Sequence, residues 1–195
     1  MTALEAVRNA IPDPAKDIKL NLEAVLRGST LSAARRWGVA IASAVAARNP
    51  QLRDAVLADA GPEVDAAVVD DALAAAALMA MNNVYYRFRH LVGKPSYALK
   101  PARLRMNRLV KPATSKVDFE LFSLAVSAIN GCETCIQAHE KVVLEGGVTE
   151  DEVHDTIRIA ATIYAAAVAL EIAESTATAE AAAWSEQRAS VAKMG

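Results

Sequence analysis

The stretch NGCETCIQAHE, residues 130–140, holds both cysteines of the chain and has the residue types needed for thiol chemistry. Cys132 and Cys135 stand three positions apart, and His139 follows four positions later. On a helix the positions i, i+3 and i+7 share one face, so the three side chains would stand together. The arrangement fits a redox dithiol, a set of metal ligands, or small residues on a packing face.

A helix start at this point would give each thiol its own means of activation. With Asn130 as the predicted N-cap, Cys132 falls in the first turn, where free N–H groups and the helix dipole stabilise a thiolate. His139 lies one turn past Cys135 and can exchange a proton with it. A pair at i, i+3 can also close a disulfide with little backbone movement. The spacing therefore favours a redox dithiol.

Two other interpretations stay open at this point. Cys132, Cys135 and His139 offer three zinc ligands, but structural zinc takes four, usually from two separate knuckles, and the chain has no second cysteine pair. His90 or His154 would complete such a site only if the fold brought one of them close. Two inert cysteines on a packing face are the remaining interpretation.

The composition restricts the class of protein. The 195 residues are 53% apolar and only 5% aromatic, with alanine dominant, which favours one all-α domain spanning residues 1–195. The net charge of −2 gives no broad attraction for nucleic acid. The basic cluster KPARLRMNRLVK, residues 100–111, is a solvated connector or a docking site for an acidic partner.

The expected compartment is the cytoplasm, without membrane association. The first residues do not resemble an export signal. The longest uninterrupted apolar run, residues 72–81, is shorter than the roughly 20 residues that cross a bilayer. Structural disulfides are rare in the cytoplasm, so a close cysteine pair there indicates catalysis, redox sensing or metal binding.

Glycines, prolines and capping residues divide the chain into helices, and no stretch alternates convincingly as a strand does. The predicted helices cover residues 14–27, 29–49, a short segment to 61, and then 63–90, 116–129, 132–145 and 150–175. Residues 94–113 read as a long connection with one helical turn near 101–108. Residues 82–90, NNVYYRFRH, are interpreted as core or subunit contact. A weak sequence similarity between segments about 85 residues apart predicts two similar halves, near 30–93 and 115–175.

Several segments together resemble the alkyl hydroperoxidase D family of the wider carboxymuconolactone decarboxylase-like superfamily. They are the run from Glu120 through CETCIQAHE to the glycines after it, ALEAVRNAIPDPAKDIKLNL near the start, RRWGVA and NNVYYRFRHL. The resemblance covers nearly the whole chain. It implies an all-helical homotrimer that acts as an antioxidant peroxidase on organic hydroperoxides and holds no bound cofactor.

The resemblance also implies a set of partners. Electrons would come from dihydrolipoyl groups on a lipoyl carrier protein, the dihydrolipoamide acyltransferase, served by dihydrolipoamide dehydrogenase. The protein would also regenerate a partner peroxiredoxin of the alkyl hydroperoxide reductase C type. The alternatives are a cofactor-free decarboxylase-like enzyme of the same superfamily and a zinc-binding interaction module.

By the same resemblance, Cys135 becomes the sulfenic acid, while Cys132 donates a proton and then closes the disulfide. His139 and Glu120 would complete a proton relay, and the small residues that share the helix face of Glu120 would let the cysteine helix approach. The helix dipole alone would instead make Cys132 the stronger thiolate. Some family members place a histidine where this chain has Thr134, whose hydroxyl passes hydrogen bonds but does not titrate near neutral pH.

Overall fold

The computed structural model describes the backbone of residues 1–192 and the side chains of residues 1–175. Within that part the chain is all helical and has no strand, which confirms the predicted fold class. The helices are α1 Ala3–Ala10, α2 Lys16–Arg27, α3 Ala33–Ala47, α4 Pro50–Ala60, α5 Ala66–Leu91, α6 Pro95–Ala98, α7 Asn107–Val110, α8 Lys116–Ile129, α9 Glu133–Glu145 and α10 Glu150–Ala192.

Most helices begin within a few residues of the predicted positions, but α10 extends to Ala192 instead of ending at 175 as predicted, and the structure differs from the prediction at other places as well. The sequence interpretation missed α1, which begins with a reciprocal capping box between Thr2 and Glu5. The single turn expected near residues 101–108 is replaced by two short helices, α6 and α7. Pro95 begins α6, because its fixed φ suits the first position of a helix and its missing N–H is not needed there.

Helix α8 runs through the centre of the fold and packs against α3, α5, α9 and α10. Every residue from Phe119 to Ser127 is buried. A glycine allows one of these close approaches, because a Cβ placed on Gly38 of α3 would lie 2.2 Å from the ring of Phe122. The glycine of the RRWGVA segment therefore allows α3 to lie directly on α8.

Polar contacts link α3 to the starts of α8 and α10. Arg35 of α3 donates hydrogen bonds to Asp118 of α8, at 2.8 Å, and to Glu152 of α10, at 3.0 Å. Burial disfavours the Arg35 charge, but these hydrogen bonds and the two opposite charges outweigh it, so the pKa of Arg35 is raised above its ordinary value. The backbone N–H of Thr30, just before α3, donates a further hydrogen bond to Asp155 of α10 at 2.7 Å.

The connection between α5 and α8 is anchored by one buried carboxylate of α5, Asp71. It accepts hydrogen bonds from the Arg108 guanidinium at 2.8 Å, from the N–H of Ala113 at 3.0 Å, and from the N–H and hydroxyl of Thr114. Burial alone would raise the pKa of Asp71, but these hydrogen bonds outweigh it and hold that pKa below its ordinary value. Arg108, which belongs to the basic cluster 100–111, thus helps to hold this connection against α5.

Two helices, α5 and the first part of α10, are long and apolar enough to cross a membrane by length and composition. In each, 44% of the apolar window is buried inside the fold, and α5 also buries Asp71, Asn82 and Asn83. These features are typical of core helices.

The internal sequence similarity pairs the segment of α3, α4 and α5 with the segment of α8, α9 and α10, and each segment consists of three successive helices. A common origin of the two halves stays a prediction.

Candidate active site

A glycine turn places the cysteines where α8 gives way to α9. Gly131 has a left-handed φ of 63° and donates its N–H to the carbonyl of Ala128, while Cys132 donates its N–H to Ser127. This pair of hydrogen bonds forms a Schellman motif, in which a glycine follows the last residues of a helix and ends it. The predicted N-cap, Asn130, was wrong: Asn130 is the C-cap of α8, and the N-cap of α9 is Cys132 itself.

The two cysteines are joined by a disulfide, with their Cα atoms 5.3 Å apart. Cys132 is fully buried, whereas Cys135, one turn into α9, is 7% exposed. The hydroxyl of Thr134 lies 3.7 Å from the Cys132 sulfur, so this residue contacts the thiol pair directly. The two cysteines therefore differ in exposure, and Cys135 is the more exposed residue.

Glu120 and His139 meet across the α8–α9 hairpin. The His139 Nδ1 atom lies 2.5 Å from a carboxylate oxygen of Glu120, and both side chains are largely buried. The expectation that Glu120 and His139 come close to each other is confirmed, while the small-residue face as its cause stays a prediction. A carboxylate in this position holds the imidazole in a fixed orientation. The other ring nitrogen, Nε2, lies 3.3 Å from the sulfur of Met79 on α5.

A cavity of about 230 Å³ lies between α5 and α9, next to the disulfide. On the α9 side it is lined by Thr134, Cys135, Ala138 and His139. Cys132 does not line it. Cys135 and His139, the latter paired with Glu120, therefore line one small space that a substrate could enter.

The opposite walls of the cavity come from α5 and from the connection that follows it. Helix α5 contributes Asn82 and Tyr86, and the connection contributes Met106 and Leu109. None of these four was among the residues proposed from the sequence, where residues 82–90 were interpreted as core or subunit contact. The available signal was a pair of polar amides, Asn82 and Asn83, following the apolar run that ends at Met81.

Neither of the other two histidines lines the cavity. His90 is half exposed at the end of α5, with Nε2 3.5 Å from Glu133, and His154 is exposed on α10. Among residues 1–175, no group of three or more histidine, cysteine or acidic side chains is arranged to hold a metal ion. The geometry around the cysteine pair is that of a dithiol–disulfide couple with a buried acid–base pair beside it.

Comparison with known proteins gives a consistent result. The sequence profile of the carboxymuconolactone decarboxylase family matches residues 95–186. A relative from Anaeromyxobacter dehalogenans (strain 2CP-C), named alkyl hydroperoxide reductase AhpD, is 69% identical over 94% of this chain and 98% of its own length. Relatives of the same name from Solibacter usitatus and Brucella canis are 48% and 47% identical, over 87% and 88% of this chain.

Proposed function

Because the chain belongs to the alkyl hydroperoxidase D family, within the carboxymuconolactone decarboxylase superfamily, we propose that it is a peroxidase that reduces organic hydroperoxides. The observation that carries the proposal is the position of Cys135, which faces a small cavity together with the His139–Glu120 pair and is bonded to Cys132. The name of the relatives, alkyl hydroperoxide reductase, supports the same activity.

The proposed cycle begins with the reduced dithiol. The Cys135 thiolate attacks the terminal oxygen of the hydroperoxide, the O–O bond breaks, and the alkoxide takes a proton and leaves as an alcohol. That proton comes from Cys132, which becomes a thiolate, while His139, supported by Glu120 and with the Thr134 hydroxyl as a hydrogen-bonding relay, holds the proton removed from Cys135 and returns it to the hydroxide that leaves the sulfenic acid. The Cys132 thiolate then attacks the Cys135 sulfenic acid, which releases water and closes the disulfide.

A dihydrolipoyl group completes the cycle by thiol–disulfide exchange. One of its thiols attacks a sulfur of the disulfide, and its second thiol then displaces the protein, so that two electrons pass to the cysteine pair and a lipoyl disulfide forms. The proposed donor is a lipoylated dihydrolipoamide acyltransferase, which dihydrolipoamide dehydrogenase returns to the reduced form. Regeneration of a C-type peroxiredoxin would use the same dithiol, and the proposed assembly is a homotrimer located in the cytoplasm.

Turnover of tert-butyl hydroperoxide with dihydrolipoamide tests the proposal in the wild type and in Cys132→Ser and Cys135→Ser. Both variants should lose turnover. After one addition of peroxide, dimedone should label a sulfenic acid at Cys135 in Cys132→Ser and label nothing in Cys135→Ser. Full turnover in both variants would contradict a dithiol peroxidase and favour a decarboxylase-like enzyme that does not need the thiols.

A further inference from the structure

The amide of Asn82, on the α5 wall of the cavity, holds a buried oxygen that has no hydrogen-bond partner among the described residues. Asn82 is only 4% exposed, yet its Oδ1 is buried without a hydrogen bond, and no bond to its Nδ2 is found among the described residues. An unsatisfied buried polar atom costs about 1–3 kcal/mol of stability. Such an atom beside a reactive sulfur calls for an explanation beyond packing.

The next residue shows how a buried amide at this place in α5 is normally satisfied. Asn83 donates Nδ2–H to the hydroxyl of Ser127 and accepts a hydrogen bond from Asn130, both at 2.9 Å. Asn83 thereby ties α5 to the turn that carries the cysteines. Asn82 lines the same cavity as Cys135 and His139, and its Oδ1, unlike the amide oxygen of Asn83, has hydrogen-bonding capacity that no described residue uses.

We propose that Asn82 binds the hydroperoxide group of the substrate, an inference that rests on the peroxidase activity proposed above. A hydroperoxide, R–O–O–H, offers one donor, its O–H, and acceptors on both oxygens. A side-chain amide offers the complementary acceptor and donor, so the two can pair in a closed ring of two hydrogen bonds. Oδ1 accepts the terminal O–H, and Nδ2–H donates to the oxygen that carries the alkyl group.

This pairing assists the reaction as well as binding. When the Cys135 thiolate attacks the terminal oxygen, an S–O bond forms, the O–O bond breaks, and negative charge develops on the alkyl oxygen. The Nδ2–H of Asn82 stabilises that charge until the oxygen takes a proton and leaves as an alcohol. The terminal oxygen and its hydrogen stay on Cys135 as the sulfenic acid.

The test separates the two half-reactions in Asn82→Leu, which keeps a similar size and removes both polar atoms. Oxidation of the reduced dithiol by tert-butyl hydroperoxide should slow by at least about 10-fold, since removal of one donor to a developing oxyanion costs roughly 10²–10³-fold in kcat. Reduction of the disulfide by free dihydrolipoamide should change by less than about 3-fold, because that step needs no amide.

Ser43→Ala is the matched control, because Ser43 is also fully buried with an unpaired hydroxyl but lies on α3 and does not line the cavity. Both substitutions remove an unsatisfied polar atom, so both should keep or raise the melting temperature. Only Asn82→Leu should slow peroxide reduction. Asn82→Asp, which keeps the shape and lacks the N–H donor, serves if the leucine variant fails to fold and should also slow that step.

The outcomes distinguish this inference from the proposed function. Wild-type oxidation rates in Asn82→Leu and Asn82→Asp would overturn the role of Asn82 while leaving the peroxidase intact. Equal slowing of both half-reactions would indicate a distorted site and would also overturn it. A wild-type dithiol that hydroperoxide does not oxidise would instead contradict the peroxidase activity.

Discussion

At the residue scale, access distinguishes the two sulfurs more than charge does. Cys132, at the N-cap of α9, has the better position for a stabilised thiolate, but it is fully buried and does not line the cavity. Cys135 faces the cavity. The helix dipole favours a thiolate at Cys132, whereas the family resemblance assigns attack on the peroxide to Cys135. The two can be reconciled, because a stabilised thiolate at Cys132 suits the other steps proposed for it: it closes the disulfide, and it is the leaving group when the disulfide is reduced.

The proton relay can be tested with Glu120→Gln. Glutamine keeps the size of the side chain but removes the negative charge that would balance a protonated His139. We expect turnover with dihydrolipoamide and hydroperoxide to fall about 10- to 100-fold, which is less than the roughly 10²–10⁴-fold of a group that transfers the proton itself, because Glu120 acts through His139. Glu133→Gln is the control, since this exposed acid on α9 pairs, among the described residues, with His90 and Gln137 and should leave turnover unchanged. Wild-type turnover in Glu120→Gln would remove Glu120 from the relay.

The apolar wall of the cavity predicts a preference for alkyl hydroperoxides over hydrogen peroxide. Leu109 and Met106 offer surface to an alkyl group, which hydrogen peroxide lacks. Leu109→Ala should therefore raise KM for tert-butyl hydroperoxide by about 5- to 30-fold, the effect of losing 1–2 kcal/mol of apolar contact, and leave the rate with hydrogen peroxide nearly constant. An equal change for both peroxides would contradict this role.

The sequence was informative about residues whose chemistry is visible in their spacing. The positions of Cys132, Cys135 and His139 on one short segment predicted a thiol site, and the small residues after Glu120 predicted a close approach. Asn82 and Leu109 could not be found in that way, because their roles depend on which cavity they line. That property arises from packing between elements distant in the chain.

At the element scale, the turn between α8 and α9 depends on one backbone conformation. Gly131 adopts a φ of 63°, which costs other residues about 1–2 kcal/mol. Gly131→Ala should therefore lower the free energy of unfolding by about that amount, measured by urea denaturation. Gly61→Ala is the control, since Gly61 ends α4 with a right-handed φ of −53° and has ordinary space for a Cβ. Equal stability of the two variants would contradict the turn's requirement for glycine.

The same turn explains an error in the sequence interpretation. Asn130 and Glu133 have the spacing of a capping box, but a Schellman motif after α8 uses Gly131 and Cys132 to satisfy the last carbonyls of that helix. Two local patterns competed for the same four residues, and the C-terminal motif prevailed. The spacing of the capping residues cannot reveal such a competition.

At the scale of the whole molecule, Asp71 makes stability depend on pH. Its folded-state pKa lies below the ordinary value of 3.8, so its stabilising contribution is present above about pH 4 and is lost as the pH falls through the lowered pKa. Asp71→Asn should cost about 1–3 kcal/mol at pH 7, and the difference from wild type should shrink below pH 4 in urea denaturation. Asp70→Asn, which alters an exposed partner of Arg108, should cost less than about 1 kcal/mol.

Exposed apolar side chains on α5 predict self-association. Val84, Phe88 and Leu91 repeat at helical spacing and are 61%, 49% and 73% exposed. In the proposed homotrimer they would be buried between subunits. Phe88→Glu should therefore yield smaller particles by light scattering, whereas Leu20→Glu, which alters an exposed leucine on α2, should not. A monomeric wild type would contradict the trimer.

The two halves of the proposed site come from different parts of the chain. Glu120, Cys132, Cys135 and His139 all belong to one contiguous helical hairpin, α8 and α9, while Asn82, Tyr86, Met106 and Leu109 come from α5 and the connection after it. In the proposed mechanism, the residues that exchange electrons and the residues proposed to contact the peroxide on the opposite wall therefore belong to different segments of the chain. Substitutions in α5 and the connection after it would then change peroxide preference while leaving the cysteine hairpin unaltered.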